Sequence, residues 1–248
     1  MTEISDREVQ ADKSTDALAS REFRQGRRVT SGPATIRPSA VLGQTGSHML
    51  LSLPRPAALS IGSDGTMVGR SAGYQKRLGD LAGTYRDEGA YQTALADHGA
   101  DRIVYSVEES RVADGPGALI IGTSTLLPGR IGDEFALTRG HLHAIADRAE
   151  LYHCLSGTGV MVLETIDGAS QVVALRPGDA LHVPGHWLHR SVNVGQEPFV
   201  TLFCYSADAG QDYGIIADAG GMATLVVDDG AGGWTTRRNP NHRGYQAR

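Results

Sequence analysis

From residue 102 to residue 229 the chain is cut into short runs rich in β-branched and aromatic side chains, separated by glycine and proline. The runs are RIVYSVE, ALIIGTSTLL, DEFALT, AELYHCLS, GVMVLET, SQVVAL, DALHVP, HRSVNV, FVTLFCYS and ATLVVDD. The dividers are Pro128-Gly129, Gly157-Thr158-Gly159, Asp167-Gly168, Pro177-Gly178, Pro184-Gly185 and Gly195. Many short strands at regular spacing with turn signals predict an all-β sandwich or barrel. The 32 glycines, against four phenylalanines and two tryptophans, agree. Interior glycine costs a helix about 1 kcal/mol, so such a composition suits tight turns better than a bundle.

Upstream of this series the texture differs. LSIGSDGTMVG (59–69) alternates apolar and polar residues around Asp64-Gly65, a hairpin signal. Arg86-Asp87-Glu88 then leads into GAYQTALADHG, where Tyr91, Leu95 and the alanines share a helical face until Gly99 ends it. Residues 1–52 lack a period and mix Ser, Thr, Gly, Arg and Asp; they are expected to form a disordered or loosely attached arm. The remaining 53–248 are expected to form one domain, with a strand-and-helix lead-in over 53–101, the barrel over 102–230 and a tail over 231–248.

A net charge of −5 argues against a nucleic-acid or membrane-surface partner, since either needs a concentrated basic patch. No run approaches the ~20 apolar residues that span a bilayer, and MTEISDREVQADKSTD has no apolar core of a secretory signal. Two cysteines, Cys154 and Cys204, are too few for a disulfide scaffold. The expectation is a cytoplasmic, reduced protein.

The chemistry concentrates in GHLHAIADRAELYHCLSG (140–157). On a strand, residues two apart project to one face, so His141 and His143 can reach one ion together. Glu150 follows His143 by seven residues, an odd gap that requires a turn between them; Ala146-Asp147-Arg148 is polar enough to make it. Glu150, Tyr152 and Cys154 then share a face of the next strand, with His153 on the other. Downstream, GDALHVPGHWLHRSVN (178–193) offers His182, His186 and His189. Imidazole and carboxylate suit Fe, Mn, Zn or Ni, and three histidines with one carboxylate leave positions open for substrate or water.

Gly140, His141-x-His143, Glu150 and Gly157 resemble the first cupin motif, and Gly178, Pro184, His189 and Asn193 the second. The segments 124–143, 147–162, 183–199 and 205–216 more closely resemble the cupin-type glucose-6-phosphate isomerases of archaea and some bacteria. RLGDLAGTYRDEGAYQTAL (77–95) and NPNHRGY (239–245) are similar to the lead-in and the ending of that family. The resemblance covers roughly residues 57–241.

It implies a cupin double-stranded β-barrel, jelly-roll-like, with the metal inside and His189 as the fourth ligand beside His141, His143 and Glu150. It implies interconversion of glucose 6-phosphate and fructose 6-phosphate, with one divalent ion per subunit: Fe²⁺ first, then Mn²⁺, Ni²⁺ or Zn²⁺. It implies a homodimer whose partner molecule is a sugar phosphate. Thr123, Ser124, Thr138 and Gly140 stand where the family holds phosphate, and Tyr152, Tyr205 and Tyr213 where the sugar lies. Arg139 stands where Lys is usual. Glu150 is the base candidate, a metal-assisted hydride shift being the alternative, and Tyr152 and Gln211 are the other catalytic candidates. Gln211 stands where the family has a His placed to act on the substrate in ring opening, and an amide hydrogen-bonds without exchanging a proton near neutral pH. Two other readings fit the same residues: an isomerase or epimerase for a different sugar phosphate, or a non-catalytic sugar-phosphate-binding cupin.

Overall fold

A computed structural model describes residues 55–70 and 72–246. The expected N-terminal arm lies outside the described residues. In chain order the elements are β1 (Ser60–Ile61), β2 (Met67–Val68), β3 (Ala72–Arg77), α1 (Glu88–His98), β4 (Ile103–Arg111), β5 (Leu119–Leu126), β6 (Arg130–Ile131), β7 (Glu134–Phe135) and β8 (Glu150–Ser156). They continue with β9 (Gly159–Thr165), β10 (Ser170–Leu175), β11 (Ala180–Val183), β12 (Trp187–Asn193), β13 (Phe199–Ser206), α2 (Gly214–Asp218), β14 (Thr224–Asp228) and β15 (Trp234–Arg238).

The strands form a six-stranded sheet in the order β11-β8-β13-β5-β4-β3, a three-stranded sheet β10-β9-β12, a four-stranded sheet β15-β14-β7-β6 and the β1-β2 hairpin. Adjacent strands run antiparallel, as β13 does against both β5 and β8. The six- and three-stranded sheets close on one apolar core, the cupin arrangement expected from the sequence. β9 is buried at nearly every position, apolar on both faces, because the barrel interior lies on one side and the C-terminal segment covers the other. β13 instead alternates buried with half-buried positions. Each large side chain buried this way stabilises the fold by roughly 1.5–3 kcal/mol.

The local signals act as their chemistry requires. Asp64 accepts the Thr66 N–H at 3.0 Å and closes the β1-β2 hairpin. Asp87 caps α1 by accepting the Ala90 N–H at 2.9 Å, and Gly99, at φ 77°, ends it. At Gly157, φ is +75° and a Cβ would stand 2.2 Å from the Pro198 carbonyl oxygen, so only glycine lets this turn pack on the buried Phe199.

Two expectations are adjusted and one element is added. DEFALT yields only the two-residue β7; beyond it Leu137, His141 and Leu142 make single bridges to Val192, His189 and Asp212, because Gly140 at φ +73° interrupts the pleat. Residues 231–248, expected as a tail, contain β15, which pairs with β14 along five residues. α2 is an added helical turn after Tyr213.

Candidate metal centre

His141 and His143 lie on the bridged segment after Gly140, Glu150 opens β8 and His189 sits in β12, on the facing sheet. The segment folds back at Ala146-Asp147, where the sequence requires a turn. Arg148 pins that turn with a forked pair to Asp208 at 3.0 and 2.9 Å, and this guanidinium holds the Asp208 carboxyl well below the usual carboxylate range. The Arg148 carbonyl accepts the His143 Nδ1–H at 2.8 Å, and the Trp187 carbonyl accepts that of His189 at 3.0 Å. With both Nδ1 atoms as donors, both Nε2 lone pairs are aimed inward, the usual way a second contact orients a ligating imidazole.

All four ligand atoms lie within 4.8 Å of one another, and all four residues are buried. Glu150 Oε2 stands 2.9 Å from His189 Nε2, 3.1 Å from His143 Nε2 and 3.7 Å from His141 Nε2. His141 Nε2 is buried with no hydrogen-bond partner, an orphaned ring nitrogen 3.7 Å from Glu150 Oε2. An unsatisfied buried polar group costs about 1–3 kcal/mol, and a divalent cation would satisfy it. Three inward imidazole nitrogens and one carboxylate fit a borderline divalent metal.

Electrostatics agree. Burial would raise the Glu150 carboxyl, but contacts from His141, His143 and His189 outweigh it and hold the group well below its ordinary value. Burial, reinforced by His189, brings His141 down to about 4, so its imidazole is neutral and able to ligate. His143 is buried too, yet Glu150 carries it upward.

A prediction follows for the metal-free protein. Between about 4 and the ordinary 6.5, the unfolded chain protonates His141 and the folded chain does not. Stability therefore rises with pH across that window and is lost as pH falls. His143 works in the opposite sense, so the clean comparison is with His141→Gln, whose urea midpoint should climb less between these pH values. Equal slopes for the two proteins would refute the assignment.

A cavity opens above the ligands, with His141, Glu150 and His189 in its lining. Its walls carry Ser124 from β5, Tyr152 from β8, Tyr205 from β13, and Gln211 and Tyr213 from the segment before α2. Thr138 and Gly140 line it beside His141. The Thr138 Oγ1 accepts the Ser191 N–H at 3.1 Å, which leaves the hydroxyl hydrogen to donate to a ligand. A Cβ on Gly140 would meet the His189 carbonyl and Ile216 at 3.0 Å, so glycine is needed for the segment to reach β12. The Tyr213 hydroxyl donates to Gln211 Oε1, and the Arg139 guanidinium covers the Tyr213 ring at 4.9 Å. Burial and the neighbouring Glu150 carboxylate raise the Tyr152 phenol well above its ordinary value.

Thr123 is a correction. Neighbours on a strand face opposite ways, so Thr123 and Ser124 cannot both enter the cavity. Ser124 does; Thr123 turns to the opposite face, where it is buried and donates its hydroxyl to the Gly65 carbonyl. His182 lies exposed on β11 opposite Leu151, and His186 is exposed at φ 70° in the turn before β12. Cys154 is buried, its sulfur 3.6 Å from the Ser156 carbonyl. Asn193 is buried and structural, donating to the Leu126 and Glu197 carbonyls at 2.8 and 2.9 Å. Tyr74, Tyr105, Glu109 and Arg190 also line the cavity, and sequence reasoning missed them. The one available signal was period two in β4, where Tyr105, Val107 and Glu109 share a face.

A family profile described as glucose-6-phosphate isomerase matches residues 75–243. The glucose-6-phosphate isomerase of Sinorhizobium medicae is 46% identical over 195 residues, covering 78% of this chain and 91% of the relative. That of Thermococcus gammatolerans is 40% identical over 176 residues, covering 71% and 91%. Among solved structures, an oxalate oxidase in complex with the substrate analogue glycolate overlaps 44% of this chain and 55% of its own, at 19% identity and a TM-score of 0.37.

Proposed function

The chain belongs to the cupin-type glucose-6-phosphate isomerase family, its activity is the interconversion of glucose 6-phosphate and fructose 6-phosphate, and we propose that one divalent ion per subunit, held by His141, His143, Glu150 and His189, serves it. The observation that carries the reading is the convergence of four ligand atoms at the base of a cavity walled by hydroxyls and phenols. Held by these four residues, such an ion would supply Lewis-acid stabilisation to the charge that develops on the sugar oxygens. Fe²⁺ is our first assignment, with Mn²⁺, Ni²⁺ and Zn²⁺ compatible with the same donors.

The chain's own residues divide the remaining work. The Ser124 and Thr138 hydroxyls and the Gly140 backbone hold the phosphate, a reading supported by their lining of the cavity. Tyr152, Tyr205 and Tyr213 enclose the sugar, and their phenols stay protonated, as donors. Glu150 is the base beside C2; Tyr152 and Gln211 orient the hydroxyls around it. A homodimer is supported by β3, an outer strand of the six-stranded sheet that is mostly exposed among the described residues. A cytoplasmic setting is supported by the substrate class, and no helix among the described residues is long and apolar enough to cross a membrane.

The test is metal analysis of the purified protein beside a steady-state assay with fructose 6-phosphate and added Fe²⁺ or Mn²⁺. Turnover that tracks metal content is expected. Full metal occupancy without turnover would sink the reading. Sugar-phosphate binding without hydrogen exchange at C2 in heavy water would make the site a sensor instead.

A further inference from the structure

A hexose phosphate exists in water chiefly as a ring, so aldose–ketose isomerisation must first open it. The step balances without any oxidant: O1 loses its proton, the C1–O5 bond breaks as C1=O1 forms, and O5 gains a proton. The site therefore needs a group that takes a proton at one oxygen and returns it at another.

Few groups in the cavity can do this. His141 and His189 converge with Glu150 on one point as proposed ligands, and Glu150 is already assigned the proton at C2. The phenols are held protonated: burial pushes Tyr105 up to about 12 and raises Tyr74, Tyr205 and Tyr213 as well. The buried Arg190 guanidinium donates to the Arg139 carbonyl at 2.7 Å and remains a cation. Gln211 is an amide bonded to Tyr213. Ser124, Thr138 and Ser191 carry alcohols, which do not ionise near neutral pH. The remaining carboxylate in the wall is Glu109.

Its placement follows from β4. Tyr105 and Val107 on the same face are buried in the cavity wall, and Glu109 continues that face to a half-buried position. Across the ladder Glu109 is paired with Gly122, where a Cβ would lie 2.2 Å from the Phe203 ring. Glycine there seats the Phe203 ring beneath this face, and Glu109 lines the same cavity as Tyr205 and Tyr213. Tyr205 and Tyr213 are two of the three rings proposed to enclose the sugar, so the carboxylate belongs to the wall around it and is not one of the four ligands.

Resting on the proposed function, we propose that Glu109 is a catalytic residue for ring opening, carrying the O1 proton to O5. The metal-loaded full chain and its Glu109→Gln and Glu109→Asp variants are compared in three measurements. These are α/β anomer exchange of glucose 6-phosphate by exchange NMR, isomerase turnover, and calorimetric binding of the acyclic D-glucitol 6-phosphate. Glu109→Gln should lose at least tenfold (on the low side for a positioned acid/base) in both anomer exchange and turnover, with glucitol 6-phosphate binding and metal content unchanged; Glu109→Asp should recover part. Undiminished anomer exchange in Glu109→Gln overturns the role, whatever its turnover. Loss of glucitol 6-phosphate binding in step with turnover overturns it too, by making Glu109 a substrate holder. Absence of isomerisation by the unmodified, metal-loaded protein would remove the function itself and this role with it.

Discussion

Glu150→Gln will lower turnover by on the order of 10³-fold or more and leave the purified protein short of metal. The carboxylate oxygen of Glu150 stands 2.9, 3.1 and 3.7 Å from three imidazole nitrogens, in a site where every contributor is buried. Three neutral imidazoles leave a divalent charge uncompensated in a poorly solvated place, and Glu150 is the anion that offsets it. An amide keeps the shape, but it brings no charge and presents an N–H₂ where lone pairs already face inward. The substitution removes the proposed base as well as a ligand, so both losses fall on the same variant. Metal content by elemental analysis separates them: restored occupancy under excess Fe²⁺ without restored turnover assigns the base role. Turnover above a tenth of the unmodified value would refute the placement of Glu150 at the centre. Circular dichroism should be unchanged, since Glu150 holds the ligands together and anchors no strand.

The barrel was legible where its strands carry side-chain information. β9, β10 and β13 coincide with GVMVLET, SQVVAL and FVTLFCYS because apolar residues fill them and glycine, aspartate or proline bounds them. β3 and β15 went unread for the opposite reason. AGYQKR and WTTRR are mostly exposed, with no apolar alternation, and are held by backbone pairing to β4 and β14. Such strands exist because a neighbour offers an edge, which no local pattern records.

The metal centre was partly local and partly not. His141-x-His143 is a spacing argument, and it holds although the two residues sit on isolated bridges instead of a continuous strand. Choosing His189 over His182 and His186 needed the second motif. The structure gives the physical reason: β12 faces β8 across the barrel, whereas His182 lies on the exposed side of β11. Tyr105 and Glu109 look like ordinary strand residues until closure of the barrel turns their face into a cavity wall. Thr123 failed by one position of register, the error to which a period of two is most sensitive.

The second large effect lies away from the metal. Glu164→Ala should destabilise the fold by roughly 3–5 kcal/mol, a large part of a typical domain's total. Glu164 is 1% exposed in β9, and its carboxylate gathers the C-terminal segment against the barrel. It accepts the Ala223 N–H at 2.9 Å, the Thr224 N–H at 2.7 Å and the Tyr245 hydroxyl. Removing it leaves the buried Tyr245 hydroxyl and two partly buried backbone N–H groups unpaired, and deprives the buried Arg190 guanidinium of a nearby negative charge, with Glu134 left to balance it. Arg190 in turn holds the Arg139 carbonyl, one residue before Gly140, so the loss should reach the cavity and weaken substrate binding more than metal binding. Glu164→Gln, which keeps two acceptor sites on one oxygen, should lose less than half as much. The measurement is the urea midpoint of the metal-loaded protein, read beside KM for fructose 6-phosphate. A Glu164→Ala protein within 1 kcal/mol of the unmodified one would mean that water replaces the carboxylate, and that β14 and Tyr245 are held by apolar packing on β9 alone.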